Sequence, residues 1–152
     1  MAAETNISHT DVPRAATATP ARSARWHLLV GGTTLVIFLA TGAYMRLREP
    51  AVSTLEPGMR LMFISRHIYI LAAALLHLVL GTYVRPAATR RARAIQAVGS
   101  LLLVVASALL IAAFVVEPVA GRSRTLVSSC GLYALFAGTL LHASTALRRR
   151  SA

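Results

Sequence analysis

The chain has 152 residues, room for one domain and little more. Hydrophobic residues make up 56% and charged residues 14%, where an average soluble domain carries roughly 25% charged. With a mean hydropathy of +0.63, a water-soluble enzyme is a poor fit. All sixteen basic residues are Arg, against five acids, for a net charge of +11. One cysteine excludes a disulfide framework and a cysteine-based metal site.

Residues 1–25 are rich in Ala, Thr, Ser and Pro and lack apolar periodicity, so they read as a disordered tail. Glu4 and Asp11 in this tail count against a mitochondrial transit peptide. The first stretch without Asp, Glu or Arg covers 28–45. Its part 28–40, with Ala40-Thr41-Gly42 as a small-x-small site, is also readable as a cleaved signal. Continuation of the run to Met45 and the length of the preceding tail weigh against cleavage. Pro50 and Pro57 break the connection that follows. The apolar piece 59–64 is predicted to start the second helix early, with Pro57 at its first position.

Three more uncharged stretches follow at 68–84, 94–116 and 125–147, with Pro86 and Pro118 expected to end the second and third helices. Each of the four falls within the roughly 17–25 residues that a helix needs to cross a bilayer core. Backbone groups in lipid must be bonded within their own segment, and four short runs cannot close a barrel. The expected fold class is therefore all-α: a polytopic membrane protein, an up-down bundle of four transmembrane helices within residues 26–150.

Arg14, Arg22, Arg25, Arg85, Arg90, Arg91, Arg93 and Arg148 to Arg150 fall on one side of such a bundle, ten of the sixteen. The positive-inside rule places that side, with both termini, in the cytoplasm. Trp26 and Tyr83 at the inner ends and Tyr44 and Tyr69 at the outer ends fit an aromatic belt. Abundant Ala and Arg with no Lys suggest a bacterium with a GC-rich genome, and hence the inner (cytoplasmic) membrane. The Arg runs attract anionic lipid, but they are too short for nucleic-acid binding.

Membrane helices pack through small residues that allow close backbone approach. Stripes of this kind run along Ala73, His77 and Gly81, along Gly99, Ala106 and Ala113, and along Gly131, Ala134, Gly138 and His142. Two histidines therefore lie on inward faces. At 1.5 Å per residue, His77 and His142 lie roughly 10 and 8 Å from the inner ends of their runs, nearly level. Ionisable groups at such depth are candidates for function.

Two level imidazoles flanked by Gly81 and Gly138 are candidate axial ligands of a b-type haem, with Arg85, Arg90 and Arg148 near the propionates. In plan this resembles the membrane cytochrome b bundles, whose second and fourth helices carry the haem ligands. The likeness covers two residues and a topology. Those bundles carry two ligands per helix, whereas a partner for His67 would fall among Ser128, Ser129, Cys130 and Tyr133. The other reading makes His77 and His142 neutral packing residues bonded to Thr82, Thr139 or Thr145. His27, beside Trp26, reads as interfacial.

Arg60, Arg66 and His67 fall at the outer entrance of the second helix, near Arg46 and Arg48, with Glu49, Glu56 and Glu117 as available partners. They either anchor helix ends in the headgroup zone or hold an anion, a lipid headgroup or a partner subunit. Small four-helix multidrug exporters are similar in size but rely on an intramembrane carboxylate, and none of the four runs contains one. No Gly-rich phosphate loop, HExxH or CxxC is present. Two functional classes remain: a structural or interaction component of the membrane, as a homo-oligomer or with a membrane protein partner; or a b-haem protein for electron transfer or redox sensing.

Overall fold

A computed structural model describes residues 22–120 and 125–150. It is all-α: α1 (Arg22–Leu47), α2 (Pro57–Tyr83), α3 (Arg90–Ala120) and α4 (Leu126–Arg150), with one 3₁₀ turn at Val52–Thr54. All four helices are long and apolar enough to span a membrane, with mean hydropathies of 1.8, 1.8, 2.7 and 1.5 over their most apolar windows. The chain is a multi-pass membrane protein with an up-down four-helix bundle. The start of α1 and the end of α4 share one end, called proximal; the α1–α2 and α3–α4 connections form the distal end. The tail reading falls mostly on residues 1–21, outside the described residues, as do Arg122 and Arg124.

The helices exceed the uncharged runs. α2 starts at Pro57, whose missing N–H costs nothing at a first helical position. Glu56 caps it by accepting a hydrogen bond from the Met59 amide at 3.1 Å. Pro118 does not end α3 at residue 116, as the sequence had suggested; it lies in the last turn, and the helix runs on to Ala120. The extension takes Glu117 into the helix, fully buried, because Arg66 neutralises it there.

Packing is uneven. α1 lies mainly on α2 and α4 mainly on α3, while α2 and α3 form the central pair; α2 and α4 barely touch. Ala73, Leu103, Ala106, Leu110 and Leu135 make the mid-span core. Toward the distal end a second core joins Val52, Phe63, Ile70 and Phe114. There the rings of Phe63 and Phe114 meet edge to face at 5.5 Å, and the Arg48 guanidinium lies 5.1 Å from the Phe63 centroid.

Glycine sets the two closest crossings. A Cβ on Gly81 would fall 2.6 Å from Leu28 Cγ and 2.9 Å from the Leu28 amide of α1. One on Gly138 would fall 2.8 Å from the Gly99 carbonyl of α3. Both crossings lie in the proximal half, and both bring backbones together that any side chain would hold apart. Gly138→Ala presses a methyl on a carbonyl that cannot turn away, an overpacking that costs about 1–3 kcal/mol. Thermal unfolding in detergent should show a clear loss of stability; an unchanged midpoint would mean that α3 and α4 are not this close.

Candidate functional site

The proximal crossings bring three histidines together. On α1, Ala24, His27, Gly31 and Thr34 recur at helical spacing as one buried face. His27, read as interfacial from its neighbour Trp26, is instead 1% exposed. His77 is 0% and His142 5% exposed, so both lie on inward faces. The His27 and His77 rings are 5.0 Å apart, and those of His27 and His142 meet edge to face at 5.5 Å.

A single hydroxyl organises the three rings. Ser100 Oγ lies 2.9 Å from the Gln96 carbonyl, which can only accept, so the serine proton points there. Toward His27 Nε2 at 2.9 Å and His142 Nε2 at 3.2 Å the same oxygen can then only accept. With the serine proton placed there, neutral His27 and His142 each donate to that oxygen from Nε2. That leaves His27 Nδ1 as an acceptor, and His77 Nδ1, 2.9 Å away, as the donor to it. The chain His77–His27–Ser100–His142 ties all four helices together. Two ring nitrogens, His77 Nε2 and His142 Nδ1, are left buried without a close hydrogen bond, and the Leu103 carbonyl also lies against His77.

The threonines expected to serve these rings bond elsewhere. Thr82 donates to the Leu78 and Val79 carbonyls, Thr139 to Leu135 and Thr145 to His142, each within its own helix. Gln96 closes the cluster toward the proximal surface. Its Oε1 accepts from the Ala87 amide at 3.0 Å, and its Nε2 donates to the Arg85 carbonyl at 3.2 Å. The space beside the flanking glycines is filled by protein: Leu28 at Gly81, and Gly99 with Leu103 at Gly138. Among the described residues, no three or more His, Cys, Asp or Glu side chains converge as ligands of one metal ion.

The distal residues Arg60, Arg66 and His67 do not form one group. Arg60 is exposed. Arg66 is buried, with Nε and Nη2 both 2.7 Å from Glu117 Oε2. Its Nη1 donates to Ser65 Oγ at 2.8 Å, and Nη2 also reaches Ser128 Oγ at 3.3 Å. Glu117 Oε1 accepts from the Ser128 amide at 2.8 Å, satisfying one of the open donors in the first turn of α4. A carboxylate there also complements the helix dipole. His67, one residue on, turns to α1: its ring stacks on Phe38 at 4.1 Å, and its Nδ1 lies 2.9 Å from Thr41 Oγ1. Cys130 is exposed on α4.

Sequence reasoning missed His27, and it named Glu117 only as one of three available acids without singling it out as the partner of Arg66. The signal for His27 was the stripe Ala24-His27-Gly31-Thr34, hidden because the uncharged run starts one residue later. No spacing links Arg66 to Glu117, fifty-one residues apart on different helices. No family model matches the chain, and no curated protein or solved structure matches it.

Arg66→Gln strips the buried Glu117 of its cation and should lower stability by about 3–5 kcal/mol. Replacing both, Arg66→Met with Glu117→Leu, should recover most of that loss, because no unpaired charge remains. Unfolding in detergent measures both variants. A single variant no worse than the double one would refute the pairing.

Proposed function

We propose that this chain is a non-catalytic integral membrane component acting through assembly, as a structural or interaction partner within the bilayer. One observation carries the reading: six of the polar side chains buried within the spans, His27, Arg66, His77, Glu117, Ser128 and His142, bond helix to helix. Polar residues that bridge membrane helices in this way hold a scaffold together and ask for no substrate. The excess of Arg at the proximal end supports an orientation with both termini in the cytoplasm, and composition supports a bacterial inner membrane.

The bare nitrogens His77 Nε2 and His142 Nδ1 favour one alternative, a b-type haem ligated by these two residues. Imidazole lone pairs without donors are what axial ligation uses. Haem between them would require His27 to leave its place between the rings.

Purification in mild detergent from haem-replete cells separates the two readings. The scaffold reading expects colourless protein that elutes as an assembly larger than one chain. Red protein with a Soret band abolished by His77→Ala would establish the haem reading instead. Colourless protein eluting as a single chain would contradict both.

A further inference from the structure

Because α2 and α4 barely touch, a groove of about 630 Å³ lies between them at the proximal end. Leu76 and Leu80 of α2 and Thr139 and Ala143 of α4 line its walls, and Arg85 lies at its mouth. An apolar hollow of about 440 Å³ continues it toward mid-span, sharing Leu76 and Thr139 and adding Leu132 and Phe136. From Ala143 to Leu132 the helix rises about 16 Å, close to half of the ~30 Å hydrocarbon core and so the depth of one leaflet. The shape suits an extended hydrocarbon tail.

Gln96 fixes the mouth of the groove. Its Nε2 donates to the Arg85 carbonyl at 3.2 Å, and its Oε1 accepts from the Ala87 amide at 3.0 Å. The α2–α3 connection is thus tied to α3 on both sides of Pro86, and the Arg85 backbone is held beside the groove. The Arg85 side chain is exposed, and among the described residues no carboxylate pairs with it. The acids of the described chain, Glu49, Glu56 and Glu117, all lie at the distal end. Arg66 and Arg48 differ in this respect, one paired with Glu117 and the other set over the Phe63 ring. Arg85 therefore offers a positioned, unpaired guanidinium directly above an apolar groove. Its planar fork matches a phosphate. A head with net negative charge is favoured, because a head that also carries a cation meets Arg85 and the nearby Arg90, Arg91 and Arg93 with like charge.

We infer that the α2–α4 groove is a binding site for one anionic phospholipid. Its phosphate meets the Arg85 guanidinium, and one acyl chain lies along Leu76, Leu132 and Phe136. The site is independent of whether the chain assembles with partners.

Native mass spectrometry of the delipidated full chain in neutral detergent tests this with two probes, dioleoyl phosphatidylglycerol and dioleoyl phosphatidylcholine, which differ only in their heads. One phosphatidylglycerol should be retained per chain, about fivefold better than the choline lipid. Arg85→Gln should remove that preference. Arg91→Gln takes the same charge from the same end at an exposed position that does not line the groove, and it should leave the preference intact. Ala143→Trp, at an exposed position on the groove wall, should abolish the adduct without disturbing the core. Equal retention of the two lipids, a preference that survives Arg85→Gln or is lost as fully in Arg91→Gln, or an adduct that survives Ala143→Trp would each overturn the assignment.

Discussion

In hydrocarbon a polar side chain has no water to fall back on, so it must find its partner on another helix or carry the cost of being buried alone. Apolar surface gives these helices little reason to choose one neighbour over another, since lipid tails are as apolar as leucine. The bonds between buried polar groups therefore specify which faces meet. At the proximal end Ser100 is the hub, accepting from histidines on α1 and α4 and holding its own proton on α3. At the distal end Glu117 plays the same part, joining Arg66 of α2 to the first turn of α4.

The two hubs work by different physics. The distal one is ionic and directional: two guanidinium nitrogens share one carboxylate oxygen, and the other oxygen completes a helix start. Removing either charge strands the other in a medium that cannot screen it. The proximal hub consists of neutral groups, cheap to bury but each with limited hydrogen-bonding capacity. Its acceptors outnumber its donors, which is why two ring nitrogens end without partners. The glycine crossings at Gly81 and Gly138 sit beside this hub, and without such close approach the rings would not reach one another.

Helix number, alternating direction and inward stripes were legible in the sequence because lipid imposes a coarse rule, a gap between charges of bilayer length. Ala73, His77, Gly81, Gly99, Gly138 and His142 were placed on inward faces by spacing alone, and they are buried. Helix ends were less legible, since a charge reads as a boundary unless its partner is known. Glu117 and Arg66 looked like surface residues for that reason, and α3 looked shorter than it is. The partners of His77 and His142 were not legible either. Threonines near in sequence seemed natural donors, but a helical threonine already has a carbonyl within reach one turn back. Ser100 also bonds one turn back, yet its small side chain faces the crossing of all four helices. That convergence is a property of packing, and no local pattern encodes it.

The order of protons along His77, His27, Ser100 and His142 follows from one carbonyl that cannot donate, so it tests the proximal hub most directly. Solid-state nitrogen NMR of histidine-labelled protein in bilayers reads it, with signals assigned by replacing each ring in turn. Neutral His27 and His142 should carry their proton on Nε2, and His77 on Nδ1. A proton on His77 Nε2 or on His142 Nδ1 would contradict the account, because the hydrogen bonds said to join the four helices could not then exist as described.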